Sequence, residues 1–236
     1  MKPDLLLLPG MLSDAAFWSA QSDALGDIRA VRVAQYGLAD SIVAMADVVL
    51  RDAPDVFDLA GHSMGGRVAQ QIYRLAPGRV RRLALLATDF RGPSDAAARD
   101  AEAARRDAML AIVALIGIEA WAAEWAREMV APELHGDTAL LSAVAAMIAR
   151  HSTEQLAAHT LAGLTRPDFS DLLPRISCPT LICAGSKDRL RTVDTHRAMA
   201  ALVPHARLVV LERCGHMVAM ERPGDVTAAM RAWLSD

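Results

Sequence analysis

The chain has 236 residues, a formal net charge of −3 and 53% hydrophobic residues, which suits one α/β domain carrying an insertion around a sizeable core. Aromatic residues make up only 4% and no basic run is present, which argues against nucleic acid as a partner. The longest apolar stretch, residues 108–118, is too short to cross a bilayer, and the leucine run at residues 5–8 is too short for a signal sequence.

Leu5-Leu6-Leu7-Leu8, broken by Pro9-Gly10, reads as a parallel strand buried on both faces. Ser13-Asp14 is expected to cap a helix carrying Phe17, Trp18 and Leu25, followed by a strand over residues 28–33. Ser41 caps a helix with Ile42, Met45, Val48 and Val49 on one face. A strand over residues 56–60, a helix over 67–76 closed by Pro77-Gly78, and a strand over 82–87 come next. Between about residues 93 and 165 no strand pattern occurs. Alanine-rich helices are expected instead over 96–116, 118–130, 137–152 and 154–164. The strand rhythm returns at 179–184 and 206–211, with helices over 192–202 and from Pro223 onward. Strands alternating with helices imply a parallel sheet covered on both faces, and the helical block is expected to form a lid over it. Three cysteines follow no disulfide or metal spacing. Cys178 and Cys183 lie on opposite sides of one strand, and with Cys214 they are expected as reduced core fillers of a cytoplasmic protein.

The chemistry concentrates at Gly61-His62-Ser63-Met64-Gly65-Gly66, between a strand and a helix. A serine at the apex of so sharp a turn is held in a strained backbone conformation with its hydroxyl at the C-terminal edge of the sheet. Gly61 and Gly65 remove the side chains that would clash there. The helix N-terminus behind it offers free N–H groups to a developing anion. The nucleophile needs a base, and the base needs an acid to hold its tautomer. Of seven histidines, His135, His151 and His159 fall in the helical block, His196 on a helix, His205 on a turn, and His62 beside the serine with its ring expected to point away. His216, on the loop Cys214-Gly215-His216 after the last strand, is the expected base. Asp188, past the fifth strand, and Asp89, past the fourth, open on the same edge, so position alone permits either; Asp188 is favoured, and Asp194 is expected to serve the first turn of its helix. The oxyanion is expected to meet the backbone N–H groups of Met64 and Met11, the latter from the loop Pro9-Gly10-Met11-Leu12. Phe17 and Trp18 follow that loop and suit either a pocket wall or the core. Trp121 and Trp125, one helical turn apart in an apolar block, carry the same ambiguity and point to an apolar acyl group.

Taken together, Leu8-Pro9-Gly10, the six-residue serine motif, Gly185-x-x-Asp188, Cys214-Gly215-His216 and the order Ser…Asp…His resemble the α/β-hydrolase superfamily, in particular its small esterase-like enzymes with a helical cap. The resemblance spans nearly the whole chain, with Pro9-Gly10 standing where the family usually has His-Gly. It implies a doubly wound, six-stranded, all-parallel sheet of order 2-1-3-4-5-6 without the family's two N-terminal antiparallel strands. Residues 1–92 and 166–236 would form the core and 93–165 the cap. The implied activity is a serine hydrolase cleaving a carboxylic ester of a small or medium apolar molecule, with Ser63, His216 and Asp188 as triad and no metal or cofactor. Carbon–carbon hydrolysis, elimination and peroxide chemistry run on similar scaffolds and stay open as alternatives.

Overall fold

A computed structural model describes residues 4–235. The chain runs β1 (Asp4–Leu8), α1 (Ser19–Leu25), β2 (Val31–Val33), α2 (Ile42–Asp52), β3 (Phe57–His62), α3 (Met64–Leu75) and β4 (Val80–Leu86). Four helices follow without a strand between them: α4 (Ala96–Ile116), α5 (Ile118–Met129), α6 (Thr138–Ala149) and α7 (Thr153–Leu164). The rest is β5 (Thr180–Gly185), α8 (Val193–Leu202), β6 (Arg207–Leu211), α9 (Val218–Glu221) and α10 (Pro223–Ser235). The six strands form one sheet in the order β2-β1-β3-β4-β5-β6, and every adjacent pair is parallel. The expected fold class and strand order are therefore the observed ones.

The leucine run shows how the two layers are built. Successive side chains of a strand point to opposite faces, so Leu5 and Leu7 enter one core with Trp18, Val226, Met230 and Trp233. Leu6 and Leu8 enter the other, with Ile42, Met45, Val68 and Ile72 of α2 and α3. The same division puts Cys183 in the first core and the half-buried Cys178 against the second, and all three cysteines are free thiols. Burial pushes the Cys183 thiol up to about 12, which leaves it protonated and unreactive at neutral pH. Among the described residues no helix is long and apolar enough to cross a membrane.

Several boundaries differ from the sequence reading, and three of them bear on the core and the site. The expected strand over residues 28–33 shrinks to Val31–Val33, because the N–H groups of Ile28 and Arg29 both donate to the Leu25 carbonyl and close a turn. Arg29 is drawn inward to the fully buried Asp58, at 2.8 Å. The first helix begins at Ser19, after Phe17 and Trp18. Asp14 instead accepts from Ala16 N–H at 2.8 Å, and a series of short turns carries the two aromatic rings inward. The helix behind the serine starts at Met64, three residues earlier than its periodicity suggests, since its first turn is glycine-rich and gives no apolar signal. Ser63 thus sits directly against a helix N-terminus.

Candidate active site

Ser63 joins β3 to α3 with φ of 52° and ψ of −115°, a left-handed conformation that a residue with a side chain adopts only under constraint. The constraint is steric and polar. A Cβ at Gly61 would fall on the Gly65 carbonyl, and one at Gly65 would fall on the carbonyls of Leu8 and Pro9, so β1, β3 and α3 close up only because both positions are glycine. The Ser63 N–H donates to the Leu86 carbonyl at 2.9 Å, and Thr88 Oγ1 donates to the Ser63 carbonyl at 2.6 Å. His196 holds Thr88 in turn: its Nε2 accepts from Thr88 N–H at 3.1 Å while its Nδ1 donates to the Thr192 carbonyl at 2.9 Å.

With the turn fixed, the Ser63 hydroxyl lies 2.9 Å from His216 Nε2, and His216 Nδ1 lies 2.7 Å from Asp188 Oδ2. A carboxylate can only accept, so Nδ1 carries the proton and Nε2 is left to accept from the serine. Burial pushes the Asp188 carboxyl up, but the His216 ring and the N–H groups of Arg191 and Leu190 outweigh it and hold its pKa below the ordinary value. It remains an anion facing the ring. Asp89 lies elsewhere. Its Oδ1 accepts from the N–H groups of Phe90 and Arg91, shaping the turn after β4. Asp194 pairs with Arg197 at the start of α8.

Both oxyanion candidates belong to segments that adjoin Ser63. A Cβ at Gly10 would lie 3.3 Å from Ser63 Cβ, so the loop carrying Met11 runs beside the serine. Met64 N–H, at the first helical position, has no intrahelical acceptor, and among the described residues neither it nor Met11 N–H donates to another backbone group. His62 is buried beside the serine turn. Its Nε2 donates to the His216 carbonyl at 2.9 Å, and its ring stacks on Phe17 with centroids 4.0 Å apart. Burial, and after it the His216 ring, hold its pKa well below the ordinary value, so it stays neutral.

A cavity of about 490 Å³ opens over Ser63 and His216. Met11, Trp121 and Trp125 line it, the two indoles stacked with centroids 4.6 Å apart. Trp18 does not. It is fully buried, edge-on to Phe17, so Phe17 and His62 separate it from the cavity and its expected place in a substrate wall is corrected to the core. The cavity is also less apolar than the cap's composition suggests, because Arg67, Arg105, Arg106, Arg166 and Arg191 reach it.

Two supports were not anticipated. His159 of α7 accepts from Leu12 N–H at 3.3 Å, fastening the Met11 loop from the cap side. Glu221 of α9 braces the histidine loop: Oε2 accepts from Gly215 N–H at 2.7 Å and Ala131 N–H at 3.0 Å, and Oε1 accepts from Met217 N–H at 2.9 Å. His216 N–H also donates to the Met129 carbonyl at 2.8 Å, so the end of α5 and the histidine loop are tied together. An acidic residue five positions after the histidine, at a short helix, was the available signal. Glu221→Ala strands three buried N–H donors and is expected to lower unfolding free energy by about 2–4 kcal/mol, with a larger loss of kcat than Glu221→Gln. Denaturant unfolding alongside steady-state rates checks this; wild-type stability in Glu221→Ala contradicts it.

Comparison with known proteins agrees with this fold. The chain is 28% identical over 242 residues to a pimeloyl-[acyl-carrier protein] methyl ester esterase of Aromatoleum aromaticum, covering 95% of each protein. It is 25% identical over 245 residues to an (E)-2-((N-methylformamido)methylene)succinate hydrolase of Acinetobacter baylyi, covering 98% of this chain and 89% of the relative. The solved structure of a thermophilic esterase from Thermogutta terrifontis superposes with a TM-score of 0.86 at 30% identity, over 99% of this chain and 89% of the other. Since the family model for alpha/beta hydrolases also matches residues 5–230, nearly the full length, the chain belongs to the alpha/beta hydrolase family.

Proposed function

We propose that the protein hydrolyses a carboxylic ester through an acyl-enzyme on Ser63. The supporting observation is the continuous relay from the Ser63 hydroxyl through His216 to Asp188, with bonds of 2.9 and 2.7 Å. His216 Nε2 takes the hydroxyl proton as Ser63 Oγ bonds to the ester carbon, and the Met11 and Met64 N–H groups receive the negative oxygen. The carbon–oxygen bond to the alcohol breaks as the imidazolium returns the proton to the leaving oxygen. Water, deprotonated by the same nitrogen, attacks the acyl carbon, and release of the acid restores Ser63. Asp188 stays ionised throughout and steadies the imidazolium. A relative and a solved structure named as esterases support this reading, beside relatives named as hydrolases of other substrates. Residues 93–165 act as the cap, with Trp121 and Trp125 receiving an apolar part of a small or medium substrate.

A panel of p-nitrophenyl and methyl esters varied in acyl length tests the reading. Turnover of at least one series is expected, with release of one acid per alcohol. No turnover across the panel, together with an intact relay, contradicts ester hydrolysis and favours a lyase or carbon–carbon hydrolase.

A further inference from the structure

The cavity has two unlike walls. Helices α5 and α6 contribute Trp121, Trp125 and Met147, while α3, α4 and the loops after α7 and β5 contribute Arg67, Arg106, Arg166 and Arg191. Arg67 lies one helical turn beyond Ser63 and is buried. Its Nη1 donates to the Arg91 carbonyl at 2.9 Å, and Arg166 Nε approaches the same carbonyl at 3.4 Å, so two guanidiniums converge on one neutral acceptor. Glu102 serves both Arg166, at 2.8 Å, and Arg106, at 3.7 Å. Asp89 lies 3.9 Å from Arg67 and is shared with Arg91. Among the described residues, the Arg191 guanidinium hydrogen-bonds only to the Leu190 carbonyl.

Five arginines, Arg105 included, line the cavity against two carboxylates, Glu102 and Glu128. Positive charge therefore exceeds negative charge there, and that excess costs free energy unless something compensates it. Burial, then the charges of Arg191 and Arg166, pull the Arg67 pKa down to about 9. Guanidinium forks match carboxylates in a planar, two-point geometry, and each such bond strengthens when water is excluded.

We propose that this arginine wall is a binding subsite for a carboxylate carried by the substrate, so that the preferred ester is a monoanion with its free carboxylate held away from the scissile carbonyl. The assignment rests on the ester reading for turnover but not for binding. The apolar wall then receives the connecting chain, and the two walls together orient the carbonyl toward Ser63.

Two matched pairs test it: methyl hydrogen glutarate against dimethyl glutarate, with the carboxylate on the acyl half, and 3-acetoxypropanoate against its methyl ester, with the carboxylate on the alcohol half. The anionic member of at least one pair is expected to have the higher kcat/KM by about ten- to a hundredfold. That ratio should fall at least about tenfold in Arg106→Gln and Arg191→Gln, whose side chains are less buried than Arg67 and whose folding is checked by melting temperature. No preference for the anion in either pair, or a preference kept in both variants, overturns the subsite. If no ester turns over, calorimetry of glutarate with the Ser63→Ala protein decides separately. Binding lost on adding Arg191→Gln supports the subsite, and failure to bind, or equal binding of dimethyl glutarate, overturns it.

Discussion

Ser63→Ala is expected to fold as the wild type and to lose about 10⁴-fold or more in kcat. The turn at this position is held by glycines, by the Leu86 carbonyl and by Thr88, and none of these contacts involves the serine hydroxyl. Alanine meets the same left-handed conformation with a smaller side chain, so melting temperature should change little. What disappears is the hydroxyl that lies 2.9 Å from His216 Nε2. The residual rate comes from the oxyanion donors and binding alone. Activity within tenfold of wild type would mean that another group attacks the substrate.

The acid is the second large effect. Asp188→Asn is expected to lower kcat by about 10³–10⁴-fold with little change in KM, because an amide can donate to His216 Nδ1 and so stabilise the tautomer whose Nε2 already carries a proton. Such a ring cannot take the proton of Ser63. Asp89→Asn is expected to cost at least about a hundredfold less in kcat, since Asp89 accepts from its own turn and has no contact with His216. It lies 3.9 Å from Arg67, which lines the cavity, so any effect should fall on KM. The opposite ranking of the two variants would move the acid to the end of β4.

The sequence carried the sheet because each strand is a local pattern. Leu5–Leu8 is apolar at every position because both faces are covered, and such a run needs no knowledge of its neighbours. The serine turn was equally legible, since glycine at residue 61 is demanded by the close approach of Gly65 four residues on, while glycine at residue 65 also makes room for the carbonyls of Leu8 and Pro9. Ordering the strands brought His216 and Asp188 to one edge with Ser63. What depends on convergence between distant segments was not legible. Trp18 and Trp121 look alike as apolar residues, but only the packing of Phe17 on His62 decides that the first is sealed from the cavity while the second lines it. The arginine wall draws one residue each from α3, α4 and two loops, and each arginine alone reads as a solvated charge. Glu221 reads as an ordinary helix residue until the segment after α5 is seen to deliver Ala131 N–H to it. Periodicity also failed where side chains vanish: the glycines after Met64 hid the first turn of α3, the turn that places a free N–H beside Ser63.

The central claim, that Ser63 is the nucleophile of this site, is tested most directly by intact-mass measurement after exposure to a fluorophosphonate, followed by peptide mapping. The wild-type protein should gain a single phosphonyl group on the peptide containing Gly61–Gly66, with ester turnover lost in step, and Ser63→Ala should gain none. An unmodified wild-type protein that still turns over ester, or a label that persists on another residue in Ser63→Ala, would contradict the account.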